Sequence, residues 1–252
     1  MIGSVVGCWR YPVKSMQGAA VDELSIGSRG VEGDRRWGLI DVASGKLASA
    51  KRFSALLLAS ATDDAVTLPD GTVVALDGAD VDSTLSAWLG RDVIVRQPEP
   101  TTEQVFEMTF DPPNDDAELV DIPAPRGTFL DWAPVHLLST VTLDHCASAR
   151  PELDWDVRRF RPNLLVDLDA EPFAEDTWSG RQLRIGQAVL TVRQPTVRCA
   201  MPLRAQPGLA RQPELFTAMT ELNAATPNHL GVYLDVATPG TIHPGDPVEL
   251  LE

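Results

Sequence analysis

The chain has 252 residues, 44% of them hydrophobic, which is enough for one large domain or two small ones. Its 21 Lys and Arg against 36 Asp and Glu give a net charge of −15. That excludes a broad nucleic-acid or anionic-membrane surface and confines any anion site to a local basic pocket. Three cysteines without short spacing, Cys8, Cys146 and Cys199, exclude an iron–sulfur cluster, a structural zinc site and a secreted disulfide scaffold.

In chain order, the stretch "MIGSVVGCWRYPVKS" has no basic leader before its apolar residues and does not read as a signal peptide. No apolar run approaches membrane-spanning length, so the expectation is a soluble cytoplasmic protein with no membrane and no nucleic-acid partner. Cys8 falls in an apolar strand, the ordinary place for a buried structural thiol. "DVASGKLAS" predicts strand, Ser-Gly turn, strand, and "VTLPDGTVVAL" predicts a hairpin turning at Pro69-Asp70-Gly71. "VDSTLSAWLG" predicts a helix with Asp82 or Ser83 as N-cap and Gly90 as stop. Residues 98–125 carry six prolines, eight acidic residues and no base, and read as a linker or long surface loop with room for one strand in it.

Beyond that segment, "STVTLDHCASA" predicts a short helix capped by Ser139, and "QPELFTAMTELNA" a third helix with Pro213 near its first turn. "LRIGQAVLTVRQP" predicts a turn at Gly186 and then a strand. "GVYLDVATPGTIHPGDPVELLE" predicts two strands around Pro239-Gly240 and a Pro-Gly-Asp turn. The fold class is therefore mainly β (α+β), a barrel or sandwich with a few helices. The expected organisation is a β-rich N-terminal domain at 1–98, the acidic Pro-rich segment at 99–126, and a second domain at 127–252.

Chemistry concentrates at a few places. In "RQPTVRCAMPLR", Cys199 lies beside Arg198, between Arg193 and Arg204, in a segment that two prolines keep from being regular helix. Neighbouring arginines favour a thiolate, the form that attacks or binds metal. A hydrolase nucleophile would need a histidine base, and of His136, His145, His229 and His243 the one to check is His229, at a loop-to-strand junction. "VRRFRPN" places Arg158, Arg159 and Arg161 before an apolar strand, either as partners of the acids in "PELDWD" or as an anion clamp. "YPVKS", "GDRRW" and "SAKR" add Lys14, Arg35, Arg36, Lys51 and Arg52 at turns and strand ends. The chain has only three lysines, Lys14, Lys46 and Lys51, a scarcity that composition bias explains. "GSRGVEGD" lacks the context of a phosphate loop. "AEDTW", with Glu175, Asp176 and Trp178, could line a pocket or cap a turn.

Taken together and in order, "YPVKS", "GDRRW", "RFRPN", "AEDTW", "RC" and the distal "PGT…GDPV" resemble the MOSC family, the molybdenum cofactor sulfurase C-terminal domains. The N-terminal motifs resemble the β-barrel domain that precedes MOSC in the amidoxime-reducing components and their bacterial relatives. The resemblance implies a β-barrel MOSC fold and a molybdenum cofactor (molybdopterin), with Cys199 as catalytic residue and metal ligand. It implies that Lys14, Ser15, Arg35, Arg161, Asn163 and Arg198 surround the pterin and its phosphate. It implies two-electron reduction of a small N-hydroxylated substrate at a Cys-ligated oxo-molybdenum centre, with electrons from a separate ferredoxin- or flavoprotein-type donor. The alternative it leaves open is a carrier of the cofactor or of sulfur without reductase activity. Pyridoxal phosphate is not expected, since all three lysines lie in the N-terminal region. Two features depart from the animal enzymes: Arg36 replaces an aromatic residue, and "AMPLRAQPGLARQPEL" follows Cys199 in place of "TTVDP".

Overall fold

The computed structural model describes residues 1–251. Seven strands close into a barrel. Gly3–Arg10 pairs with Leu164–Leu168, which runs parallel to Val135–Ser139. From there the order continues through His229–Thr238, Ala188–Val197, Gln182–Ile185 and Pro247–Leu250, and returns to Gly3–Arg10. Alternation of apolar residues fills the interior: Val5, Leu137, Val166, Leu190, Val192, Val232 and Leu234 point inward and are buried. Cys8 is in this core, and burial pushes its thiol up to about 11. The mainly β barrel class expected from the sequence is what the chain adopts.

The first strand therefore belongs to a barrel otherwise built from residues after 134. Ala19–Val21 extends the same sheet, and Leu24–Gly27 pairs with Gly240–Ile242. The intervening N-terminal residues form a second core around Met16, Leu39, Leu56, Leu57 and Leu85, built on the paired strands Gly38–Asp41 and Val93–Arg96. The expected hairpin is present as Ala65–Thr67 against Val73–Ala75, with Gly71 at φ 87° in its turn.

Helix α1 (Val81–Leu89) stops at Gly90, in the left-handed region as a C-cap requires. Its start corrects the sequence reading: Asp80, not Asp82 or Ser83, stands at the cap. The Asp82 carboxylate instead accepts from the Val95 amide at 2.7 Å, tying the helix to the next strand. Helix α2 (Thr140–Ala149) is capped by Ser139 as expected, and helix α3 (Glu214–Leu222) follows Pro213. None of the helices is long and apolar enough to cross a membrane.

The acidic segment holds two strands where the sequence suggested one. Val105–Met108 and Val120–Pro123 form an antiparallel hairpin. Its Phe106 is buried with Leu47, Ala124 and Phe129 in a small core of its own.

Candidate functional site

Pro195 cannot donate to a ladder, and the pairing of Ala188–Val197 with His229–Thr238 shifts register on both sides of it. The strand bends as it ends. Arg198 then exchanges two hydrogen bonds with Asn228, amide to carbonyl at 2.9 Å and Asn228 Nδ2 to the Arg198 carbonyl at 2.8 Å. This clamp sets Cys199 at the seam between the barrel and the N-terminal core, where Met201 packs. Cys199 lines a cavity of about 80 Å3 there, and all seven expected site residues, Lys14, Ser15, Arg35, Arg161, Asn163, Arg198 and Cys199, line it together. They come from four separate segments of the chain.

Backbone strain gathers at the same place. Among the described residues five non-glycine residues have positive φ, and Ser15 (71°), Arg35 (47°), Arg161 (55°) and Asn228 (58°) are four of them. Each costs on the order of 1 kcal/mol and persists only where surrounding contacts fix it. Here the Ser15 hydroxyl accepts from the Ala50 amide, and Arg161 Nη1 donates to the Met16 carbonyl at 2.7 Å. The guanidinium groups of Arg161 and Arg35 lie 4.3 and 4.6 Å from the ring centre of Tyr11.

The electrostatics are unusual for so acidic a chain. Lys14 and Lys51 are both buried. Their ammonium groups stand 4.5 and 4.3 Å from the centre of the Phe106 ring, and both bond one carboxylate, that of Asp131. Burial pulls Lys14 down to about 8, with Asp131 opposing and Lys51 adding to the fall. Burial would raise Asp131, but the two lysines outweigh it and hold its carboxyl well below the usual range. Burial, then Arg35, brings Arg161 down to about 10. Arg198 is buried as well. It donates to the Phe160 carbonyl at 2.7 Å, meets His136 Nε2 at 3.3 Å, and leaves Nε without a partner. Arg35 is paired with Asp34. Lys14, Arg35, Arg159, Arg161 and Arg198 line the cavity with one carboxylate, Asp131. With the paired Lys51, Asp34 and Asp154 behind them, six cations meet three carboxylates, an excess of three positive charges.

Sequence neighbours of the site residues divide sharply. Of the arginines around Cys199, Arg193 pairs with Asp235 and Arg204 with Asp115; only Arg198 turns into the cavity. Within "VRRFRPN", Arg158 pairs with Asp156. Arg159 lies near Asp154 and donates to the carbonyls of Pro202 and Ala210, anchoring the segment after Cys199. Arg161 alone offers its charge. Asn163 reaches the cavity, but its amide is engaged by Trp9, Asp34 and the His136 amide, so it braces the wall. Glu175 is a buried support for α2, bonded by the hydroxyls of Ser139 and Thr142, with burial raising its carboxyl. Asp176 bonds Asn223. Cys146 is buried, with its thiol pushed up to about 12 by burial.

The cavity also has lining that the motifs did not single out. Asp131 sits in a run of apolar residues, a signal that could have marked it. Tyr233 and Trp132 are on the wall, and Trp132 is held through its carbonyl by Arg193 at 2.7 Å. His136, on the cavity wall, is buried. Burial, then Arg198, keeps it well below its ordinary value, so it stays neutral. A side chain at Gly231 would put its Cβ 2.4 Å from the Leu137 carbonyl oxygen and 2.9 Å from His136 Nε2, so only glycine fits behind that ring. His229 does not line the cavity; its Nδ1 lies 2.8 Å from the Pro227 carbonyl. Among the described residues no histidine hydrogen-bonds Cys199, which leaves the hydrolase reading without a base.

The closed barrel thus carries a partly buried thiol at a cavity walled by cations, an arrangement that can accept a small polyanion. Residues 125–249 match the MOSC domain and residues 2–110 the MOSC N-terminal beta barrel domain. The chain belongs to the family that joins these two domains. It is 25% identical to mitochondrial amidoxime-reducing component 1 of Homo sapiens and 24% identical to that of Mus musculus. Each alignment covers 99% of this chain and 83% of the relative. Among solved structures, the YuaD protein from Bacillus subtilis is 14% identical with a TM-score of 0.49, over 99% of this chain and 96% of that one.

Proposed function

We propose that this chain binds molybdenum cofactor in the Cys199 cavity and uses it to reduce N-hydroxylated small molecules. The observation that carries the reading is the excess of buried positive charge around one accessible thiol. Uncompensated buried cations cost several kcal/mol each unless an anion joins them. A phosphate ester together with a dithiolene supplies negative charge of about the size that the cavity lacks.

The donor set fits such a group. No cluster of three or more His, Cys, Asp or Glu among the described residues could hold a bare metal ion. A metal held here must bring most of its ligands with it and take one soft sulfur from the protein, which suits molybdenum already bound by sulfur. When bound, the cofactor supplies two-electron removal of oxygen from the substrate, with the electrons coming from a separate donor protein. The chain does the rest. Cys199 offers the thiol. Arg161, Arg198, Arg35 and Lys14 hold the anionic charge, and Ser15 can donate its hydroxyl. Neutral His136 and the Tyr233 ring, 5.7 Å apart, fix the Arg198 side of the wall. Trp132 and Val197, each about half exposed, give the mouth an apolar rim for the substrate.

The test is turnover of an N-hydroxylated amidine by cofactor-loaded protein with a chemically reduced electron donor. Amidine formation that disappears in Cys199→Ala is the expected result. Loaded protein that leaves the substrate untouched would make the chain a carrier instead.

A further inference from the structure

Two of the chain's three lysines are buried at one point, although arginine serves nearly everywhere else as its base. Lysine is a compact point charge with three donors, and Lys51 Nζ makes one hydrogen bond, to Asp131 Oδ2 at 2.6 Å. Lys14 Nζ donates to the Phe129 carbonyl at 2.7 Å and to Asp131 Oδ1. The two oxygens of a single carboxylate therefore bridge two ammonium groups, as two oxygens of a phosphate could. Asp131 differs from the lysines in its access to solvent: its side chain is 36% exposed, against 4% and 3% for Lys14 and Lys51. The lysines are fixed from behind by the Phe106 ring.

We infer that Lys14 and Lys51 form a phosphate-binding site whose internal competitor is the Asp131 carboxylate. It rests on the reading of the cavity as an anion site, and it adds Lys51 and Asp131 to it. An entering phosphate monoester exchanges one anion for another on the same two ammonium groups, and Asp131 turns out toward solvent. Nothing is left unpaired on either side of the exchange. Asp131 then sets selectivity as well as affinity. A monoanion gains little over the carboxylate it displaces, whereas a dianion gains the second charge, so phosphate esters are preferred to carboxylates and halides.

The test uses inorganic phosphate and the full chain purified from a host that makes no molybdenum cofactor. Titration calorimetry on wild type, Asp131→Asn and Lys51→Met is followed by a crystal structure of the wild type with phosphate. Asp131→Asn is expected to bind phosphate at least about tenfold more tightly, because the competing charge is gone, and Lys51→Met to lose most of the binding. The crystal structure should show phosphate oxygens on both lysines with Asp131 turned away. This last readout does not depend on the variants folding. Equal or weaker phosphate binding by a folded Asp131→Asn, or a bound phosphate with both lysine–Asp131 pairs intact, would overturn the inference. Phosphate binding is read without the metal, so it can succeed where loading with molybdenum fails, and the reverse.

Discussion

Charge at single residues is where the site is most open to test. Lys14 has its ordinary value of 10.5 lowered to about 8, so it loses its proton, and its hold on an anion, as pH rises through 8. Sulfate is a suitable probe because its charge does not change in this range. Its affinity should fall about tenfold between pH 7 and 9 in the wild type and stay flat in Lys14→Met. A flat wild-type profile would remove Lys14 from the anion site. The arginines offer a paired comparison. Arg161→Met should sharply reduce bound cofactor, whereas Arg158→Met, which breaks an exposed pair with Asp156 and one hydrogen bond to the Pro207 carbonyl, should leave it unchanged. Pterin fluorescence of the denatured protein reads both. The sequence made the cluster legible but not its orientation. Arg193, Arg198 and Arg204 look equivalent along the chain, and only the bend at Pro195 with the Asn228 clamp decides that Arg198 points inward.

Among the elements, the hairpin of Val105–Met108 and Val120–Pro123 connects fold to site. Its Phe106 ring is the floor under both ammonium groups. Phe106→Ala should cost about 3–5 kcal/mol of stability, seen as a lower midpoint in urea, and should lower anion binding in the protein that remains folded. Unchanged anion binding would mean that the lysines are held without the ring. This hairpin was the least legible element. Prolines and acids dominate its composition, and its one core residue is invisible to periodicity over so short a strand. The other hairpins were readable because turn chemistry is local: Asp70 accepts from the Thr72 amide, and Gly71 takes the positive φ. The start of α1 was misread for the opposite reason, since Asp82 is drawn to a strand 13 residues away.

Across the whole molecule, the two halves of the sequence are not separable in space. The barrel closes only when Gly3–Arg10 pairs with Leu164–Leu168 and Pro247–Leu250, contacts that span most of the chain and leave no local trace. A fragment of residues 127–252 lacks that strand and exposes the Leu164–Leu168 edge. It should show no cooperative thermal transition, whereas the full chain should melt in one step. A cooperative melt of the fragment would show that the barrel closes without its first strand. The same closure brings "YPVKS" and "GDRRW" to Cys199, far beyond them in the chain. It concentrates three uncompensated positive charges in a chain of net charge −15. The surrounding negative field does not erase such a local site, because the cations are buried and screening acts mainly outside.

The central claim is tested most directly by molybdenum and pterin content, measured per chain on protein from a host with active cofactor synthesis, for wild type and Cys199→Ala. Near one molybdenum and one pterin in the wild type, with the metal lost in the variant, is the result expected from a thiol that completes the metal's ligands. Neither metal nor pterin in the wild type would contradict the account and leave the ring of buried cations to be explained by another anion.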